Sequence, residues 1–207
     1  MVLKLPLQTN TMMKFDTNKQ NIFFLADTHF HHKNICSATS VWEDENSTRK
    51  FGSLEAMNTT LLQNINFCVG ENDILFHLGD FSFQGVDNIK YFRDLINCKN
   101  IHLILGNHDQ NIANNRETTC GIPTQTLFTS VQTYLEIEIN KIPVVLSHYP
   151  LLTWRDKYKG SVQLFGHSHG QINDKIESNQ FDVGVDNVFK KWGHYGALSW
   201  QQILMEL

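Results

Sequence analysis

The stretch "LADTHFHHKN" (residues 25–34) places three histidines within four positions, just after an aspartate. Imidazole rings at this density can hold a metal ion, transfer a proton or lie on a solvated loop. The spacing of Asp27 and His29 lets alternate side chains face one way at the end of a strand, which favours these two as ligands. The chain has ten histidines among 207 residues, and this excess requires a chemical reason.

Five apolar runs along the chain end in aspartate, asparagine or histidine: "FFLADTH", "LFHLGD", "LILGNHD", "VVLSH" and "QLFGHSH". In α/β sheets, ligands bind beyond the carboxyl ends of the strands. If the five runs are neighbouring strands, their ends bring together a set of polar side chains: Asp27, His29, Asp80, Asn107, His108, Asp109, His148, His167 and His169. Glycines at positions 79, 106 and 166 are expected to let the backbone turn tightly behind them.

So many imidazoles and carboxylates in one place require a cation, because like groups repel and each loses its hydration. Mixed oxygen and nitrogen ligands suit Mn²⁺, Fe or Zn²⁺ better than Ca²⁺. A bridging carboxylate at Asp80 would let two metals sit about 3.5–4 Å apart, the spacing of two-metal phosphatases and nucleases. We therefore expect two divalent metal ions, with Mn²⁺ as the first choice and Fe, Zn, Ni or Mg as alternatives.

The elements that position these residues follow from apolar periodicity. Strands are predicted at 21–27, 73–80, 101–109, 131–139, 142–150 and 162–170, with a hairpin turn at 140–141 and two short strands within 175–186. Helices are predicted over 53–69, 86–98 and 198–207, with N-caps at Ser53 and Ser199. Strands and helices alternate in the first half and strands dominate the second, which favours a layered α/β fold with a mixed sheet. We expect one domain over residues 1–207, with residues 1–20 as a loose N-terminal arm.

Composition narrows the function classes. The net charge of −4 provides no general basic field, so a nucleic-acid substrate would have to be bound locally. The four cysteines are widely spaced and form no C-x-x-C pair, which indicates reduced thiols in a cytoplasmic protein. No stretch has the eighteen or so apolar residues of a membrane span, so no membrane association is expected.

The ordered motifs D-x-H, G-D, G-N-H-D, an isolated histidine after a strand, and G-H-x-H resemble those of the calcineurin-like metallophosphoesterases, over roughly residues 21–187. The segments "DTHFHHKNI", "SHYPLLTW" and "DVGVD" resemble a small bacterial and phage branch of that family, although the branch usually has a small residue in place of His31. The resemblance implies a four-layer αββα sandwich with mixed β-sheets. Its implied ligands for the first metal are Asp27, His29, Asp80 and His169, and those for the second are Asp80, Asn107, His148 and His167.

The resemblance also implies a mechanism for hydrolysis of a phosphate ester. Two metals that share a water lower its pKa and supply a bridging hydroxide for in-line attack. His108 would be the general acid that protonates the leaving oxygen, with Asp109 as its orienting partner. His32 and Asn34 are expected to contact the substrate, and Arg155 could hold its phosphate in a bidentate contact.

Alternatives remain open for the substrate and for several residues. The substrate could be a phosphodiester of a nucleotide or nucleic-acid end, or the fold could serve as a non-catalytic interaction scaffold. The long loop at 28–52 and the segment at 110–130 are expected to set specificity. His77 is expected in the core, His102 at a solvated strand edge, His31 in solvent, and residues 190–191 as a solvated lysine pair. The sequence indicates no oligomeric state.

Overall fold

The computed structural model describes residues 12–207, which form two mixed five-stranded β-sheets with helices packed against them. One sheet has the strand order β10-β2-β3-β4-β5 and the other β1-β6-β7-β8-β9. The strands of the first sheet are β2 (Ile22–Leu25), β3 (Ile74–His77), β4 (Asn100–Ile104), β5 (Ser130–Gln132) and β10 (Leu198–Ser199). Those of the second are β1 (Met13–Phe15), β6 (Tyr134–Ile139), β7 (Ile142–Ser147), β8 (Val162–Phe165) and β9 (Gln180–Asp182).

Alternation along the strands of the first sheet divides the core in two. In β2, Leu25 faces the outer helices while Phe24 faces the second sheet. The same period of two places Leu75 and Leu103 outward and Phe76 inward. Because both faces of this sheet are covered, its central strands β2 and β3 consist almost entirely of apolar residues.

Helices α1 (Leu54–Cys68) and α2 (Val86–Leu95) cover the outer face of the first sheet. Ser53 caps α1 by accepting the Ala56 backbone N–H, as predicted. Three shorter helices follow, α3 (Gln110–Ala113), α4 (Val185–Trp192) and α5 (Trp200–Leu204). The α5 helix begins with the predicted capping box, in which the Ser199 and Gln202 side chains each bind the other's backbone N–H. The α/β class with two mixed sheets and the αββα sandwich are confirmed.

Parallel pairing brings the functional strand ends to one edge. Strands β2, β3, β4 and β5 run parallel to one another, as do β7, β8 and β9. Between β6 and β7 the chain makes the predicted two-residue hairpin, and both Asn140 and Lys141 have positive φ, as a tight primed turn requires. The carboxyl ends of β2, β3, β4, β7 and β8 therefore precede the five polar motifs.

Three sequence predictions were wrong in detail. The single strand expected at 131–139 is two strands in different sheets, because the chain crosses from β5 to β6 at residue 133. Within 175–186 only β9 is a strand, and α4 begins at Val185 as an amphipathic helix. Met13–Phe15 pairs with β6 instead of forming part of a loose arm, while residues 1–11 lie outside the described residues. The extent of the domain stays a prediction.

Among the helices between residues 12 and 207, none is both long enough and apolar enough to cross a bilayer.

Candidate metal centre

Most of the predicted ligands have an unusual backbone conformation. Positive φ values between 48° and 67° occur at five of the seven: Asp27, His29, Asp80, His167 and His169. Non-glycine residues rarely adopt this left-handed region, and such residues concentrate at functional sites. Left-handed turns, and not the extended alternation expected for D-x-H, therefore direct these side chains towards one another.

Asp27, His29 and His169 form the first cluster, in which one ligand atom of each residue lies within 4.8 Å of the others. Asp27 and His29 are almost fully buried. Neither ring nitrogen of His29 has a hydrogen-bond partner among the described residues. A buried imidazole without a partner is costly unless something else satisfies it, and a metal ion would do so.

Asp80, His148 and His167 form the second cluster, within the same limit. Nδ1 of His148 lies 2.8 Å from the Leu78 carbonyl oxygen, which can only accept, so this nitrogen carries the proton. In the neutral ring, Nε2 then presents a lone pair to Oδ1 of Asn107 at 3.0 Å and Oδ2 of Asp80 at 3.5 Å. Three lone-pair donors that face one another fit a cation between them.

Asp80 lies between the two clusters. Its Oδ2 is 3.5 Å from Nε2 of His29 in the first cluster and 3.5 Å from Nε2 of His148 in the second. Its Oδ1 accepts the backbone N–H of His108 at 2.9 Å. The Asp80 carboxylate thus faces a histidine nitrogen of each cluster at equal distance, as a bridging ligand would.

Burial and neighbouring charges shift the pKa values of the clustered residues in different directions. Burial raises the pKa of Asp27 well above its usual value, and the nearby Asp182 and Asp80 carboxylates raise it further. Burial also lowers the pKa of His29 well below its usual value. Burial acts to raise the pKa of Asp80, but the facing His148 and His29 rings and the His108 backbone N–H together outweigh it, so the net shift is downward. A divalent cation would stabilise the ionised carboxylates and neutral imidazoles alike.

Asp109 has a different role from the one predicted. Both of its carboxylate oxygens accept backbone N–H groups, from Asp80 at 2.8 Å, Phe81 at 2.9 Å and Gly106 at 2.8 Å. Instead of orienting His108, Asp109 fixes the loop after β3 to the loop after β4. The His108 ring is exposed and lies against Phe83 and His29, with ring centroids 4.8 and 5.7 Å away.

The glycines of the motifs serve two different purposes. Gly79 has a φ of +99° and makes the tight turn that the sequence predicted. Gly106 and Gly166 instead permit close approach, because an added Cβ at Gly106 would lie 2.5 Å from the Asp80 backbone nitrogen. At Gly166 a Cβ would lie 2.8 Å from Oδ2 of Asp27.

A Gly106→Ala substitution is therefore expected to displace Asp80 and to remove at least one of two bound metal equivalents. Gly52→Ala is a matched control, since a Cβ at that loop position meets nothing within 4 Å. Metal analysis of both variants after dialysis against Mn²⁺ checks this. Full metal content in a folded Gly106→Ala protein would refute the tight placement of Asp80.

A cavity of about 650 Å³ opens over the two clusters. The two clusters, His32 and His108 line this cavity. Its lining also includes an apolar and mainly aromatic group, Ile35, Trp42, Phe189 and Tyr195, called the aromatic wall below, together with charged residues that include Asp44, Lys50 and Lys190. Phe189 and Tyr195 stack in parallel with ring centroids 4.3 Å apart, and the exposed fractions of Trp42 and Phe189 are 42% and 44%.

One known protein family matches most of the length of the chain. The profile of the family described as calcineurin-like phosphoesterase matches residues 21–171, nearly three quarters of the chain. The chain belongs to the calcineurin-like phosphoesterase family. The matched segment contains all seven of the predicted metal ligands, and it ends two residues after His169.

Three other proteins are similar to this phosphoesterase in sequence or in fold. The uncharacterized protein MJ1445 of Methanocaldococcus jannaschii is 28% identical over 177 residues, covering 81% of this chain and 84% of that protein. The crystal structure of the protein of unknown function AQ665 from Aquifex aeolicus superposes with a TM-score of 0.64 at 22% identity, covering 91% of this chain and 100% of that one. A novel archaeal phosphodiesterase gives a TM-score of 0.40 at 19% identity, covering 80% of this chain and 82% of that one.

The three predicted substrate-binding residues of this phosphoesterase do not all lie at the cavity. His32 lines the cavity, stacked on Phe83 with ring centroids 3.9 Å apart. Burial lowers its pKa to about 4, and the charge of His108 adds to the shift, so the His32 ring is neutral at pH 7. Asn34 and Arg155 are absent from the described lining of the cavity. Arg155 is instead committed to Glu136, whose Oε2 accepts a hydrogen bond from Nη1 at 2.7 Å.

Three other histidines, His77, His102 and His31, are not part of the two clusters. His77 is fully buried as predicted, and its Nε2 bonds with the Thr28 hydroxyl at 2.9 Å. His102 is also buried, on the inter-sheet side of β4, where the solvated edge expected for it is replaced by a contact with Ser130. His31 is half-buried and bonds with Asn88 at 2.9 Å, so the solvent-facing prediction was wrong.

Several residues of the site were missed by sequence reasoning. Lys190 is not simply solvated, because its Nζ donates to the His169 carbonyl oxygen at 2.8 Å. Asp182 accepts the Gly170 backbone N–H and the Ser168 hydroxyl, and so holds the loop that contains His169. Asp186 accepts from His169 and is the second aspartate of "DVGVD". That run was the available signal, but its interpretation as two strands hid the α4 N-terminus.

Proposed function

We propose that this protein is a binuclear metal-dependent phosphoesterase that hydrolyses a phosphate ester. The single observation that carries the proposal is the position of Asp80, with one carboxylate oxygen 3.5 Å from a histidine nitrogen in each of two clusters. Family membership supports the same reaction class. Mn²⁺ is the proposed metal, because the donors mix oxygen and nitrogen and none of the proposed ligands is a thiolate.

The ligands are proposed to divide between the two metals as the family resemblance implies. Asp27, His29 and His169 would hold one metal, Asn107, His148 and His167 the other, and Asp80 both. When bound, two such cations supply Lewis acidity and lower the pKa of a shared water towards neutrality. The Leu78 carbonyl fixes the tautomer of His148, so that Nε2 keeps its lone pair towards the site.

His108 is proposed to donate the proton that the leaving oxygen requires. Its ring is exposed at the cavity and lies beside His29, so a bound ester would lie between the ring and the clusters. The backbone N–H of His108 donates to Asp80, which holds the main chain of His108 next to the proposed bridging carboxylate. His32 is proposed to bind a phosphoryl oxygen as a neutral hydrogen-bond donor.

A phosphodiester of a nucleotide is the second candidate substrate, and the aromatic wall of the cavity favours it. A nucleobase is planar and stacks on exposed aromatic rings regardless of its identity. The partly exposed rings of Trp42 and Phe189 face the same cavity as the metal clusters. Lys50 and Lys190 also line the cavity and would attract an anionic ligand, although Asp44 adds negative charge to the same lining.

Trp42→Ala is expected to raise KM for a nucleotide ester by about 5- to 150-fold, the equivalent of about 1–3 kcal/mol of stacking, with little change for a small alkyl phosphate. Phe67→Ala is the control, since Phe67 is a 91% exposed aromatic residue on α1 that does not line the cavity. Steady-state kinetics on the two substrates checks this. Equal changes on both substrates would argue against a nucleotide.

Chelation tests the proposed function as a whole. Activity on a nitrophenyl phosphate ester is expected to disappear after prolonged dialysis against EDTA and to return with Mn²⁺, since the chain's own residues supply no alternative activating group in the clusters. A non-catalytic scaffold would show no turnover with or without Mn²⁺. Full turnover that persists in chelator, with metal analysis confirming its removal, would rule out metal-dependent hydrolysis.

A further inference from the structure

We infer that Arg49 is a positioning residue for the first metal cluster, acting through Asp186 on His169 and through backbone carbonyls on Asp27. The inference rests on the proposed function, because it concerns the ligands of one of the two proposed metals. Arg49 lies in the long polar loop between β2 and α1, and it does not itself line the cavity.

The Arg49 guanidinium is buried and almost fully hydrogen-bonded, with only 2% of the residue exposed. Nε and Nη2 donate to the two carboxylate oxygens of Asp186, each at 2.8 Å, in a bidentate pair. Nη1 donates to the Thr28 carbonyl at 2.8 Å, and Nη2 also donates to the Asp27 carbonyl at 2.6 Å. A planar fork with this many fixed donors can meet all four acceptors at once, whereas a lysine ammonium cannot.

Asp186 connects Arg49 to His169, one of the proposed metal ligands. Its Oδ2 accepts from Nδ1 of His169 at 2.6 Å, which leaves Nε2 of His169 for a metal. A histidine ligand whose other nitrogen donates to a carboxylate has a fixed tautomer and ring orientation. Arg49 holds that carboxylate, so removing the arginine frees both the ring of His169 and the backbone of the D-x-H turn.

The contacts of Arg49 are directed to one cluster. Asp27 and His169 belong to the first cluster, and Asp27, which follows β2, is a left-handed residue whose conformation requires support. The second cluster is supported by other groups, since Leu78 orients His148 and Asp109 holds the Asp80 loop. Loss of Arg49 should therefore weaken one metal site more than the other.

A role limited to stabilising the fold does not explain why Arg49 and Asp186 are buried as a pair. Burying an arginine and an aspartate costs desolvation that their attraction only partly offsets, and apolar residues of equal volume often stabilise a protein as well or better. The other described hydrogen bonds of the Arg49 and Asp186 side chains lead to the first-cluster turn or to His169. This arrangement fits the placement of ligands better than general stabilisation.

The test is calorimetric titration of metal-free protein with Mn²⁺. Wild type is expected to show two sites, and Arg49→Met is expected to weaken one of them by about 10- to 100-fold, as loss of a supporting partner typically does. The other site should keep its affinity. Arg93→Met is the matched control, because Arg93 also donates to backbone carbonyls, of Leu127 and Ile96, but outside the cavity lining.

Conservative variants keep the test decisive if Arg49→Met does not fold. Arg49→Lys keeps the charge but loses the fork, and Asp186→Asn keeps an acceptor for His169 but loses the charge pair; both should weaken the same single site. Unchanged affinities in these folded variants, or equal weakening of both sites, would overturn the positioning role while wild type still binds two ions. Wild type that binds no Mn²⁺ would overturn the proposed function itself.

Discussion

His108→Ala is expected to lower kcat/KM by about 10²–10⁴-fold on an alkyl phosphate ester and far less on a nitrophenyl ester of the same phosphate. An alkoxide is strongly basic and requires a proton in the transition state, whereas nitrophenolate is a stable leaving group. The loss on the alkyl ester corresponds to about 3–5 kcal/mol of transition-state stabilisation. Metal content should stay near two per chain, because Asp80 binds the backbone N–H of His108 and not its ring.

The competing role for His108 is phosphate binding in both the ground and transition states. That role predicts equal losses on the two esters, with a raised KM. The measurement is kcat/KM for wild type and His108→Ala on esters that differ only in the leaving group. Equal losses with metal retained would leave His108 as a phosphate-binding residue.

Asp80→Asn is expected to reduce bound metal more than Asp27→Asn, and with it activity. The Asp80 carboxylate faces a histidine in each cluster, so its replacement by a neutral amide should weaken both sites. Asp27 belongs to one cluster only, which makes Asp27→Asn the matched control for loss of a buried carboxylate. Two equivalents of metal retained by Asp80→Asn would rule out a bridging role.

The sequence predicted that the residues of the two clusters would lie together because each of them follows a recognisable apolar run. Strands such as β2 and β3 are buried on both faces, so their hydrophobic runs end sharply where the polar loops begin. Parallel neighbours then bring those ends to one edge, and Asp27 and Asp80 meet there. The order of the strands in the sheets needed no prediction for this convergence to be expected.

The sequence did not predict the side-chain contacts between residues that are far apart in the chain. The Arg49 contacts to Asp186 join residues 137 positions apart, and no local pattern signals which buried carboxylate an arginine will meet. The role of Asp109 was missed for a similar reason. Its aspartate side chain beside His108 has the composition of a catalytic pair, but its carboxylate is fully occupied by three backbone N–H groups.

The backbone conformation of the D-x-H motif could not be predicted from the sequence either. Left-handed φ at Asp27 and His29 contradicts the extended alternation that a D-x-H motif suggests, because tertiary bonds to the Gly79 and Asp80 carbonyls fix the turn. The aromatic wall was missed because Trp42 is about 150 positions from Phe189 and Tyr195 in the sequence, and no local pattern joins the two segments.

The most direct test of a binuclear phosphoesterase is a parallel titration of metal-free wild type with Mn²⁺, in which bound metal and phosphate-ester hydrolysis are measured at each point. We predict that binding saturates at two ions per chain and that hydrolysis reaches its maximum only as the second ion binds. Saturation at one ion or none, or full hydrolysis before any Mn²⁺ is bound, would contradict a two-metal centre held by Asp80.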